Sequence, residues 1–211
     1  MEQQAAAVVI APDGERAFVC LNLVNKIGVL TIDGQNVTYD KSMDIPSAFN
    51  PYNIDITPDG NYVIASNTGA QKNNADAAVI IEATGPHPHV VDVMTPGSAP
   101  EGFAIAPDGQ TAAAPLLLGS AAKDSDWFKT KAGELVLMSI GIGGKLTVTA
   151  RAPLGGLPEG IAYSPNSDYL YVGNYFDKDL QVFDLANGKL TEAGPRLKLP
   201  GQPASMRAPV R

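Results

Sequence analysis

Two glutamates stand at equivalent places in the sequence, Glu101 in Ala-Pro-Glu-Gly and Glu159 in Leu-Pro-Glu-Gly. The proline before each glutamate restricts the backbone on entry to the segment that follows. A pair of carboxylates could hold a cation such as calcium, with asparagine or carbonyl oxygens completing the shell. Two carboxylates close together also raise the pKa of one of them, which suits a general acid or base. Glu101 and Glu159 are therefore the candidate catalytic and metal-binding residues. The alternative is that both are solvated or bonded to backbone amides of nearby loops.

A second group of polar and aromatic residues could bind a substrate near these glutamates. Some recur at the same place in similar segments, and the only tryptophan lies in the long insertion GSAAKDSDWFKTKAGE. Long loops on a rigid scaffold commonly carry binding residues. The candidate substrate-binding residues are Tyr52, Asn53, Asn67, Trp127, Asn174 and Tyr175. The alternative for the asparagines is that they satisfy backbone groups of the loops, and for Trp127 that it packs on the surface.

These candidate residues lie within segments that repeat along the sequence. Four segments share a short apolar strand, a turn related to Pro-Asp-Gly and a second apolar strand, and their prolines are 46, 49 and 58 residues apart: Pro12, Pro58, Pro107 and Pro165. The second half of each repeat is again a strand, a glycine-containing turn and a strand. Each unit therefore has four strands, A to D. The turn residues Asp13, Asp59 and Asp108 are expected to be structural.

The segments IAPDGERAFVCLN, ITPDGNYVIASN and YSPNSDYLYVGN resemble the YVTN-type repeat of lactonase-like β-propellers. This resemblance covers nearly the whole chain and implies an all-β propeller domain over residues 1–211. The four blades are expected at about 5–45, 50–96, 100–153 and 158–200, followed by a tail or closing strand at 201–211. In a propeller, strand A lines the central channel, and the D-to-A and B-to-C connections share one face. That topology brings Glu101, Glu159, Tyr52 and Asn53 to the channel mouth.

The resemblance implies a hydrolase that acts on a lactone, ester or phosphoester, assisted by a divalent cation bound at Glu101 and Glu159. Paired histidines, His87 and His89, lie in a turn on the opposite face and are a weaker metal motif. The alternative to an enzyme is a binding or scaffold propeller whose loops hold a small molecule or a protein.

Four blades are fewer than the roughly seven of such propellers, so ring closure needs an explanation. The chain could close as a small ring, it could be a fragment, or two chains could join into an eight-bladed ring. Open flanks of the first and last blades would be apolar and would favour association. The tail GQPASMRAPVR aligns with GLPEGIAYSP, Pro203 with Pro158, so it could begin a further blade or pair with a partner. We expect a homodimer.

Composition narrows the classes of partner. The net charge of −7 argues against nucleic-acid binding. No apolar stretch approaches the ~20 residues that span a bilayer, and the N-terminus lacks a signal-peptide pattern, so no membrane partner is expected. Related propellers are often exported to the periplasm, which leaves the compartment open. The single cysteine, Cys20, excludes a disulfide framework within the chain and is expected in the core.

Overall fold

The computed structural model describes residues 4–207. Within this range the chain forms four separate antiparallel sheets, arranged as consecutive blades of a β-propeller, which confirms the all-β fold class. Four single turns of 3-10 helix accompany them, at Asn22–Val24, Lys41–Met43, Ile142–Gly144 and Ala186–Gly188. No helix in residues 4–207 has the length and apolar character needed to cross a membrane.

The first two blades differ in their outermost strand. Blade 1 consists of β1 (Ala5–Ile10), β2 (Arg16–Leu21), β3 (Lys26–Asp33), β4 (Asn36–Tyr39) and β5 (Ile45–Pro46), of which the last two both pair with β3. Blade 2 has one continuous outer strand, in the order β6 (Pro51–Ile56), β7 (Tyr62–Asn67), β8 (Asp76–Glu82) and β9 (His89–Gly97).

Blade 3 has one continuous outer strand, as blade 2 does, and blade 4 has a divided outer strand, as blade 1 does. Blade 3 is formed by β10 (Ala104–Ile105), β11 (Thr111–Leu116), β12 (Glu134–Ile140) and β13 (Leu146–Pro153). Blade 4 is formed by β14 (Pro158–Tyr163), β15 (Tyr169–Asn174), β16 (Asp179–Asp184), β17 (Thr191–Glu192) and β18 (Leu197–Lys198), of which the last two both pair with β16.

The Pro-Asp-Gly segments form the tight turns between the first and second strands of blades 1 to 3. Their glycines have positive φ, at Gly14 (74°), Gly60 (74°) and Gly109 (73°). In each turn the aspartate carboxylate accepts a hydrogen bond from the backbone N–H two residues later. This is the structural role expected for Asp13, Asp59 and Asp108.

The core lies between adjacent blades. Because side chains alternate along a strand, Val63 faces blade 1 while its neighbour Ile64 faces blade 3. Cys20 is buried in the cluster between blades 1 and 2, and burial raises the pKa of its thiol to about 12. The outer flank of blade 1 has no such cover within residues 4–207, and Val8, Ile10 and Val37 are exposed there.

Candidate functional site

The first strands of neighbouring blades meet closely at the channel. A Cβ atom on Gly102 would lie 2.3 Å from the backbone oxygen of Glu159, and one on Gly160 would lie 3.0 Å from the backbone nitrogen of Met206. The glycine after each glutamate therefore lets the next segment approach. This contact brings Glu101 of blade 3 beside Glu159 of blade 4.

Glu101, Glu159 and Tyr52 form one electrostatic group at the channel mouth. Burial, reinforced by the negative charge of Glu159, raises the pKa of Glu101 to about 7. A hydrogen-bonding interaction with the Tyr52 side chain lowers the pKa of Glu101 and partly offsets this rise. Burial also raises the pKa of Glu159. The structure thus brings together the two predicted acids and the predicted tyrosine from three blades.

The next residues along blade 2 extend the polar lining of the channel. Asn53 lies beside Tyr52 and accepts a hydrogen bond through its side-chain oxygen from the Ile54 backbone N–H. The carboxylate of Asp55 accepts backbone hydrogen bonds from Ile105 of blade 3 and from Ile56. Burial raises the pKa of Asp55, although these two hydrogen bonds act to lower it. Asp55 joins two blades and was not among the predicted site residues.

A cation from the tail lies in the same channel. The Arg207 guanidinium donates long hydrogen bonds, 3.3–3.4 Å, to the backbone oxygen of Ile54 and the side-chain oxygen of Asn53. Sequence reasoning missed Arg207, although the alignment of Pro203 with Pro158 predicted that the tail could begin a further blade. That alignment was the signal that could have found it.

The tail occupies the position of the next blade's first strand. Pro203 packs on Gly173, with its Cβ atom 2.8 Å from where a Cβ on that glycine would lie, and Ser205 and Met206 pack on Gly160. The backbone of Glu159 in blade 4 contacts Gly102 of blade 3 in the same way. Residues 203–206 therefore pack against blade 4 in the way that the start of β14 packs against blade 3. The rest of the tail, 208–211, lies outside the described residues.

The repeated asparagines hold the loops in place. Asn67 is fully buried, donates to the backbone oxygens of Ala65 and Ala77 and accepts from the Ser47 hydroxyl. Asn174 is also fully buried and bonds to Gly155, Asp179 and Gln181. Burial of both amides favours the structural role that the sequence analysis gave as the alternative, and the substrate contact at Asn67 and Asn174 stays a prediction.

The two remaining predicted aromatic residues lie in loops on the channel-mouth face. Tyr175 is partly buried, and its ring lies 5.9 Å from that of Phe176 in an edge-to-face arrangement. Trp127 contacts Phe128 in the same geometry at 5.6 Å. No contact that the structure records for residues 4–207 joins Trp127 to Glu101 or Glu159.

A divalent cation at the channel mouth would find few charged ligands. Within residues 4–207, no three His, Cys, Asp or Glu side chains come together in a group that could hold a metal ion, and this includes His87 and His89. Calcium takes six to eight oxygens. Glu101 and Glu159 alone fit such an ion poorly.

A comparison with protein families finds a match at the N-terminal end of the chain. Residues 1–85 match the family model described as "Lactonase, 7-bladed beta-propeller". The match covers blade 1 and most of blade 2. No curated protein matches the chain.

Solved structures share the fold over nearly the whole chain. A "putative 6-phosphogluconolactonase" from Bacteroides fragilis is 17% identical with a TM-score of 0.77, and 96% of this chain aligns with 56% of that one. A second, from Bacteroides uniformis, is 14% identical with a TM-score of 0.77, covering 93% and 55%. Hydrazine synthase from Kuenenia stuttgartiensis is 19% identical with a TM-score of 0.74, covering 95% and 64%.

This chain thus spans little more than half of the two lactonase-like propellers and under two thirds of the third. At these identities the structural likeness concerns the fold alone. The four sheets identify the described residues as consecutive blades of a β-propeller, and residues 1–85 are similar to the lactonase propeller family.

Proposed function

We propose that this propeller hydrolyses a lactone at its channel mouth, with Glu101 as the general base. The observation that carries the proposal is the position of Glu101 beside Glu159 and Tyr52, where its pKa is raised to about 7. A base whose pKa is near the working pH is ionised often enough to accept a proton and basic enough to take it. The family match at residues 1–85 favours a lactone over other esters.

The proposed reaction begins with a water molecule placed between Glu101 and the lactone carbonyl carbon. The Glu101 carboxylate takes a proton from the water molecule while the water oxygen bonds to the carbonyl carbon. The ring C–O bond then breaks, and the departing ring oxygen receives the proton from Glu101. The product is a hydroxy acid, and Glu101 returns to its carboxylate form.

Tyr52 and Glu159 tune this base. The Tyr52 hydrogen bond orients the Glu101 carboxylate and lowers its pKa, while the negative charge of Glu159 raises it. Because Tyr52 is on blade 2, Glu101 on blade 3 and Glu159 on blade 4, the site depends on the relative placement of three blades. Tyr52 and Asn53 are proposed to contact the substrate.

Arg207 gives the site a preference for anionic substrates. Its hydrogen bonds to blade 2 are long and leave guanidinium donors available, and a carboxylate or phosphate matches that planar group. The two Bacteroides propellers are each described as a "putative 6-phosphogluconolactonase", a name that refers to a phosphorylated sugar lactone. We infer that a lactone of a sugar acid carrying a phosphate or carboxylate is the preferred class.

The test is hydrolysis of a lactone panel by the purified protein, comparing Glu101→Gln with the wild type. Loss of a general base lowers turnover by roughly a hundredfold or more. Glu15→Gln is the matched control, since Glu15 is exposed in a turn on the opposite face. A wild-type rate in Glu101→Gln would overturn the proposal, and ligand binding without turnover would favour a binding propeller.

The divalent cation expected from the sequence resemblance has a separate test. Turnover is measured before and after treatment with a chelator, and metal content is determined on the same samples. Turnover lost on chelation and restored by calcium would support a cation at Glu101 and Glu159. Turnover unchanged by chelation would remove the cation from the proposal and leave the role of Glu101 in place.

A further inference from the structure

A cavity lies on the channel-mouth face, between the loops that follow the second strands of blades 2 and 3. Its volume is about 200 Å³. The side chains that give it chemical character are Gln71 and Lys72 of blade 2 and Lys123, Asp126 and Phe128 of blade 3. None of Tyr52, Glu101 or Glu159 lines this cavity, so it is distinct from the channel site.

Neither of the two lysines at this cavity forms an ion pair with a carboxylate among the residues that the structure describes. Lys72 Nζ lies 5.9 Å from the centre of the Phe128 ring, a cation–π contact. Lys123 Nζ has no hydrogen bond or ion pair with any side chain or carbonyl that the structure describes. The one carboxylate in the lining, Asp126, accepts a hydrogen bond from the Lys123 backbone N–H. The cavity thus offers two cationic donors in a chain whose net charge is −7.

The blade 3 loop is built as an ordered wall. Lys129 Nζ donates to the backbone oxygens of Ser120 and Ala122, at 3.0 and 2.8 Å. The Thr130 hydroxyl can donate to the backbone oxygen of Leu118 or Ala132, each at 2.9 Å. The loop is therefore held in shape before a ligand arrives, which reduces the entropy lost on binding.

An exposed aromatic ring stands beside the cavity. Trp127 is 87% exposed, the largest exposure among the aromatic side chains in residues 4–207. Its ring contacts the buried Phe128 ring edge to face. Phe128 lines the cavity, and Trp127 remains open to solvent. An indole in this position offers a large flat surface for stacking at small entropic cost.

We propose that this cavity is a second binding site, for a small anion carried on a planar ring, such as an aryl phosphate. The ammonium groups of Lys72 and Lys123 hold the anion, and Trp127 stacks on the ring. The site is independent of lactone hydrolysis, because it shares no residue with the channel group.

Trp127 supplies the signal for the test, because it is the only tryptophan of the chain. Phenyl phosphate is titrated into the protein while tryptophan emission is followed. We expect a saturable change, and affinity that is lower by roughly tenfold or more in the Lys72→Gln/Lys123→Gln double variant, because charge-assisted hydrogen bonds are lost. The Lys145→Gln variant, on the opposite face, is the matched control and should bind as the wild type does. Inorganic phosphate and benzyl alcohol, which each lack one half of the probe, should bind more weakly.

A change in emission that does not saturate, or an affinity that is the same in the double variant and the wild type, would overturn the proposal. Equal affinity for benzyl alcohol and phenyl phosphate would overturn the role of the lysines. Thermal unfolding of each variant shows that the fold is intact before binding is compared. Hydrolytic activity at the channel should not change in the double variant.

Discussion

Gly102 faces the backbone carbonyl of Glu159 so closely that a Cβ atom on residue 102 would lie 2.3 Å from that oxygen. The contact joins blades 3 and 4 at the channel, directly beside the two glutamate side chains. A backbone atom cannot turn aside as a flexible side chain can. The spacing between Glu101 and Glu159 is therefore set by the absence of a side chain at Gly102.

The Gly102→Ala variant should be less stable and less active. The added methyl group forces blades 3 and 4 apart, and such overpacking typically costs about 1–3 kcal/mol in the free energy of unfolding. Denaturant unfolding and lactone turnover measure the two effects. Gly141→Ala is the control, because a Cβ at that glycine would lie 3.5 Å from its nearest neighbour, the Lys145 oxygen. Unchanged stability in Gly102→Ala would contradict this account of the channel.

Glu101 should make the protein less stable as the pH rises. Its pKa is about 7 in the folded protein against an ordinary value of 4.5, so between these values the folded state binds more protons than the unfolded state. The free energy of unfolding therefore falls across this window, by an amount on the order of 3 kcal/mol or less.

The Glu101→Gln variant lacks this titration and should lose less stability between pH 4.5 and pH 8. Thermal unfolding of both proteins across this range measures the difference. Curves that run parallel for the variant and the wild type would show that Glu101 titrates normally.

Removing the Tyr52 hydroxyl should raise the pKa of Glu101 further. The hydrogen bond from Tyr52 favours the ionised carboxylate, so Tyr52→Phe leaves burial and the charge of Glu159 without that compensation. Carbon-13 NMR of labelled glutamate side chains, followed from pH 4 to pH 9, reports this pKa directly. A Glu101 pKa that falls in Tyr52→Phe would contradict the proposed hydrogen bond.

The flank of blade 1 should drive association of the 211-residue chain. Val8 and Ile10 are 51% and 57% exposed on a sheet face that corresponds to the covered faces of blades 2 and 3. We propose that a second copy covers this flank, as in an eight-bladed ring formed by two chains. Light scattering after size-exclusion chromatography should give twice the mass of one chain.

The Val8→Lys variant should shift this assembly to the monomer. The control is Val93→Lys, since Val93 is similarly exposed, at 54%, but lies on the outer strand β9. A monomeric wild-type chain at high concentration would contradict the proposed dimer.

Much of the fold was predictable because short sequence patterns within each repeat determine its turns and strands. The Pro-Asp-Gly turns require positive φ at Gly14, Gly60 and Gly109, and strand alternation places Val63 and Ile64 on opposite faces. The grouping of Glu101 with Glu159 followed from their equal positions in successive repeats. Propeller topology then brought Tyr52 to the same place.

Other parts of the site depend on contacts that no local pattern encodes. Asn67 and Asn174 recur as binding residues would, yet tertiary packing buries both amides among backbone and side-chain partners. The role of Arg207 depends on the path of the tail over Gly160 and Gly173, which is a long-range contact. Trp127 lies in an insertion outside the repeat, so its position relative to the channel could not be inferred from the repeat.

The pH dependence of lactone hydrolysis tests the central claim most directly. With Glu101 as the base, kcat should rise with pH and level off through a single inflection near pH 7, and Glu101→Gln should retain only a low rate without that inflection. A wild-type profile with no inflection between pH 5 and pH 9, or an unchanged inflection in Glu101→Gln, would contradict the assignment of Glu101 as the catalytic base.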